Sequence, residues 1–111
     1  MSAPVAGGFD FSTSDDGALV DFWGVIDVAV RDGGTADLWE ARRMPGRLTV
    51  DCRRATKMDS IGLSILVRLV RDAVGDGQQV CFLGATGQVA DLLATAGVEA
   101  WMRDLGVTFT T

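Results

Sequence analysis

Few residues of this chain could make or break bonds, and their spacing does not suit that work. There is no histidine among the 111 residues, which removes Ser-His-Asp and Cys-His catalysis together with the commonest metal ligand. Cys52 and Cys81 stand far apart with no histidine beside them. They fit no zinc spacing and read as core or near-core thiols of a reducing compartment. Asp15-Asp16 falls in a turn, where paired carboxylates are solvated. Gly84-Ala85-Thr86-Gly87 lacks the Gly-Lys-Ser/Thr ending of a phosphate loop and reads as a strand-to-helix turn. What remains is Asp59-Ser60-Ile61-Gly62, with Ser64 and Arg68 following at helical spacing. That arrangement suits recognition, contact with another protein through an exposed helix start.

The elements that hold this stretch can be read from pattern. Leu48-Thr49-Val50 is an apolar strand candidate, within a third strand expected from Arg47 to Cys52 and followed by a polar loop. A helix opens at Asp59 and runs to about Asp76, where Gly75 and Gly77 stop it, and Val80-Cys81-Phe82-Leu83 follows as the next strand. Strand, helix and strand with so few connecting residues specify a parallel crossover. The carboxyl end of the first strand is where such units display functional residues. Asp59 suits the N-cap, since its carboxylate accepts unpaired NH groups and faces the positive end of the helix dipole. Ser60 and Ile61 lie about 100° apart around the axis and face different ways. The first reading of Ser60 is a first-turn residue serving the backbone; the second is a candidate phosphorylation site. Ile61 is equally well a partly buried anchor or a partner contact. Gly62 costs about 1 kcal/mol against Ala inside a helix, which calls for a close approach to the backbone there. Leu66, Leu69, Val70, Ala73 and Val74 form one buried stripe, with Arg68, Arg71 and Asp72 on the other side.

Upstream, Phe9 to Ser12 and Ala18 to Ile26 read as a β-hairpin around Asp15-Asp16-Gly17, with Gly24 marking a bulge or close approach. Residues 1–7 read as a loose arm. Gly33-Gly34 argues against an unbroken helix from Asp27, so an irregular connection is expected, then a short helix from Ala36 to Met44 capped by Thr35. Downstream, Val89, Leu92, Leu93 and Ala96 share a helix face, with Gly97 as its C′ residue. Residues 99–111 are the least defined, although Val107 to Thr110 alternates like a strand. The fold class is α/β, a mixed sheet with right-handed β-α crossovers in the order β-β-α-β-α-β-α and an open C-terminal element.

Composition bounds the rest. One domain spanning 1–111 is expected, with a hydrophobic fraction of 48% that fits a folded chain. A net charge of −5, with Lys57 the one lysine beside nine arginines, gives nucleic acid little electrostatic purchase. The N-terminus lacks the basic and apolar regions of a signal peptide, and no run reaches membrane-spanning length, so a cytoplasmic location without membrane insertion is expected.

Met58-Asp59-Ser60-Ile61-Gly62-Leu63 between strand and helix, with Gly24-Val25-Ile26-Asp27 before it and Val89-Ala90-Asp91-Leu92-Leu93 and Ala96-Gly97-Val98 after it, resembles the STAS family over residues 9–102. That family includes the anti-sigma factor antagonists of bacteria. The resemblance implies a compact β-α superhelix, while the missing catalytic residues lead to the expectation that the chain is not an enzyme and has no cofactor. Its implied partner is an anti-sigma factor that is also a serine kinase of the GHKL type. The alternative it implies is an accessory subunit of a transporter ATPase, as in lipid-transport ABC complexes. Either partner would meet the surface of Asp27, Asp59, Ser60, Ile61, Gly62, Ser64 and Arg68, and the oligomeric state stays open. In the antagonists, phosphorylation of the second serine of Asp-Ser-Ser-Gly breaks the complex. Here Ile61 stands at that position and Ser60 at the preceding serine, so the usual switch has no hydroxyl to act on.

Overall fold

The computed structural model of the chain describes residues 6–32 and 46–110. Strand β1 (Gly7–Ser14) turns at Asp15-Asp16 into β2 (Gly17–Ile26), and the two pair antiparallel. Helix α1 (Val28–Asp32) follows, then β3 (Arg47–Met58), α2 (Ser60–Gly75), β4 (Gln79–Leu83), α3 (Gly87–Thr95), α4 (Val98–Asp104) and β5 (Thr108–Thr110). The five strands form one mixed sheet in the order β1-β2-β3-β4-β5, in which β2 to β5 run parallel. The α/β mixed sheet expected from the sequence is therefore the architecture found.

Alternation along the strands decides where the core lies. Val20 and Phe22 of β2, Leu48 and Val50 of β3, and Val80 and Phe82 of β4 are buried, every second residue turning to the same side. They join Leu66, Leu69, Val70 and Ala73 of α2, Val89 and Leu93 of α3, and Met102 of α4 in one cluster. The α2 stripe is thus buried as its spacing predicts, except that Val74 is only half-buried. Cys52 lies fully inside this core and Cys81 is half-buried, both as free thiols.

Three expectations need correction. β1 begins at Gly7 and not at Phe9, because Val25 N–H donates to the Ala6 carbonyl (3.0 Å) beside a register shift at Gly24. β3 does not end at Cys52 but continues through Met58, paired with β2 as far as Ile26. The polar residues that suggested a loop have partners in space: the Arg54 guanidinium meets Asp21 at 2.9 Å and Asp10 at 3.0 Å, while Ala55 and Met58 turn inward and are buried. The connection after Asp27 is not irregular at its start, since α1 opens at Val28 under a cap in which Ala29 N–H donates to Asp27 Oδ1 at 3.0 Å. The helix expected from Ala36 to Met44 falls outside the described residues.

The C-terminal segment, open in the sequence, holds a further helix and then the strand that Val107 to Thr110 suggests. Gly97, at φ 75°, closes α3 and leads directly into α4, whose Val98 and Met102 are buried one turn apart. An ion pair between Arg103 and Glu99 (3.1 Å) supports its exposed side. β5 then adds to the sheet edge beside β4, with Phe109 tilted against Phe82 at a ring separation of 5.2 Å.

Candidate functional site

The connection between β3 and α2 is one residue long, and three separate contacts fix it. Asp59 is the N-cap of α2: its Oδ1 accepts from Gly62 N–H at 2.9 Å, satisfying one of the donors that a helix start leaves open. On the β2 side, Asp59 N–H donates to the Ile26 carbonyl at 3.4 Å. A Cβ at residue 62 would collide with that same carbonyl oxygen and would come within 2.9 Å of Met58 Cγ. Glycine at 62 is thus required by close packing against β2 and not by helix preference. On the other side, the Gln88 side chain of α3 bonds twice to the Met58 backbone: Met58 N–H donates to Oε1 at 2.8 Å, and Nε2 donates to the Met58 carbonyl at 3.0 Å.

Ser60, Ser64 and Arg68 are exposed and repeat every fourth residue on one side of α2, with exposed Asp59 at its head. Ile61 stands about 100° around the helix from Ser60 and is half-buried. The Ser64 hydroxyl donates to the Ile61 carbonyl at 2.6 Å, tying it back to the helix. Arg68 pairs with Asp72 at 3.9 Å, and Arg71 meets the same carboxylate at 3.3 Å.

Two of the expected site residues are placed differently from the rest. Gly62 is buried, so it shapes the turn and presents no surface of its own. The Asp27 carboxylate caps α1, a helix that packs against α2. Two residues that the sequence did not single out belong here. Val28, 38% exposed, is one of two large apolar side chains left open to solvent among the described residues. It sits on α1 next to Asp27 and adds apolar area near the start of α2. Gln88 is the other, and no local pattern marks it, because a polar residue in the first turn of a helix reads as solvated.

The chemistry of the neighbouring groups is quiet. Burial, with smaller contributions from the charges of Asp51 and Asp21, pushes the Cys52 thiol up to about 12, so it stays protonated. The hydrogen-bonded Arg53 guanidinium holds the Asp51 carboxyl below its usual range against the opposing effect of burial, closing a pair at 2.8 Å. Among the described residues no three His, Cys, Asp or Glu side chains group as a metal site. No helix among them is long and apolar enough to cross a membrane.

A family model described as "Mlab, STAS domain" matches residues 15–105 of the chain. Among solved structures, the chain is similar to that of a candidate anti-sigma factor antagonist from Thermotoga maritima, with a TM-score of 0.63 and 15% identity over 93% of this chain and 86% of that one. At that identity the likeness speaks to the fold alone. No curated protein sequence matches the chain.

Proposed function

We propose, since the chain belongs to the STAS domain family, that it is a regulatory protein-binding module of the anti-sigma factor antagonist kind, working by surface contact without making or breaking bonds. The start of α2 docks on an anti-sigma factor that is a serine kinase of the GHKL type, and the captured factor releases its sigma factor. One observation carries this reading: an apolar side chain, Ile61, lies half-buried beside the exposed side that carries Ser60 and Ser64, on a helix start held by three independent contacts. A rigid turn of this kind loses little freedom on binding, which leaves more of the contact energy as affinity.

The same residue removes the usual off-switch. A phosphate brings nearly two negative charges and strong acceptors to a surface, but Ile61 cannot carry one. Ser60 points in another direction around the helix, so a kinase docked against residue 61 does not reach its hydroxyl in the same pose. The antagonist is therefore held in its binding-competent form. Purification from its own cells should recover an anti-sigma kinase. Incubation with that kinase and ATP should leave residues 59–64 unmodified by mass spectrometry; phosphate on Ser60 would contradict constitutive binding.

A second reading draws on the same Ile61. The small STAS component of lipid-transport ABC complexes also lacks the phosphoserine pattern, and there the docking surface would meet a transporter ATPase. Recovery of such an ATPase, in place of an anti-sigma kinase, would decide for it.

A further inference from the structure

From the bonds at the end of β3 we infer that Gln88, on a different helix, is the positioning residue of the docking turn. This inference rests on the reading of that turn as a protein-binding surface. β4 pairs with β3 only as far as Asp51, opposite Leu83, whereas β3 runs on to Met58 with β2 alone beside it. An unpaired strand edge leaves backbone donors and acceptors without protein partners. At Met58, the residue immediately before the N-cap, the Gln88 amide takes the place of the missing strand. It accepts from the Met58 N–H and donates to the Met58 carbonyl, at 2.8 and 3.0 Å. Only one orientation of the amide makes both bonds, since the flipped one sets NH₂ against N–H and oxygen against oxygen.

The consequence is geometric. Met58 and Asp59 carry the chain into α2, and Ile26 alone would tether them from the β2 side. With Gln88 on the opposite side the turn is gripped across its width, which fixes the direction in which Ser60 and Ile61 leave the sheet. The grip also joins α3 to the start of α2. Any force on α3 is thereby passed to the docking surface through two hydrogen bonds.

Gln88→Met tests this, because Met matches Gln in length and helix preference but offers neither the donor nor the acceptor. In the full chain, hydrogen exchange of the Met58 to Gly62 amides should rise about tenfold or more, as expected for the loss of hydrogen bonds. Exchange at Leu69, further along the same helix, should stay unchanged, and the Kd for the copurified anti-sigma factor should rise about tenfold. Gln88→Glu, which keeps an acceptor but sets a carboxylate oxygen against the Met58 carbonyl, should behave like Gln88→Met. Unchanged exchange at Met58 overturns the inference, as does equal acceleration throughout α2, which would mark a general loss of stability. Unchanged affinity despite local loosening overturns it as well, provided that Ile61→Asp still weakens binding. If Ile61→Asp has no effect either, the docking reading itself fails and the inference falls with it, while the Met58 exchange result still reports whether the clamp exists.

Discussion

Leu69→Ala lowers the stability of the fold by about 2–5 kcal/mol, the range for truncating a buried leucine. Leu69 is fully shielded from solvent at the centre of the α2 stripe, with Leu66, Val70 and Ala73 buried beside it. Removing its branched end leaves a void that these neighbours fill only in part, so the loss exceeds the transfer energy of the methyl groups alone. Against a typical total stability of about 5–15 kcal/mol, the change consumes a large share and is read directly from a denaturation midpoint. The half-buried Val67 of the same helix should tolerate truncation better. A midpoint equal to that of the parent would mean that α2 does not seat this face on the sheet, and the geometry of its first turn would lose its foundation.

Ile61→Asp weakens partner binding by about 2 kcal/mol, roughly a 30-fold rise in Kd, and leaves the fold intact. The effect combines the loss of an apolar contact with a charge that must be stripped of water when the partner closes over it. The fold should survive because Ile61 is only half-buried and a carboxylate in the first turn of a helix faces the favourable end of its dipole. Ser64→Asp, one turn further along the exposed side, keeps the Ile61 side chain while placing similar charge on the surface, at the loss of the hydroxyl's bond to the Ile61 carbonyl, and should weaken binding in the same direction. Equal affinity of both variants and the parent in a titration would remove the start of α2 from the interface.

The legible parts of the molecule are those where neighbours in sequence determine the outcome. Asp59 as N-cap, the α2 stripe from Leu66 to Ala73, the hairpin turn and the end of α3 at Gly97 all follow from residues within a few positions of one another, and each is where the pattern puts it. Gly62 was readable as a close approach, but the carbonyl it meets belongs to Ile26 and came only with the fold. The second half of β3 reads as a loop in sequence because Arg53, Arg54 and Lys57 are charged. The carboxylates that accommodate Arg54 lie 33 and 44 residues away, at Asp21 and Asp10, beyond any local pattern. α4 is too short, at seven residues, to show a helical period. Within the candidate site, Asp59, Ser60, Ile61, Ser64 and Arg68 gather on the first turns of α2 because helical spacing places them there. Val28 and Gln88 join them only through the packing of α1 and α3, for which the sequence carries no mark.

Docking of another protein on the start of α2, as proposed, is read from a hydrogen-exchange footprint of the chain, alone and bound to the protein that copurifies with it. Protection should concentrate on residues 59–68 and spread to Val28 on α1. Protection on the β4 and β5 edge, or around the Arg103–Phe109 contact of α4 and β5, with residues 59–68 exchanging as in the free chain, would contradict it.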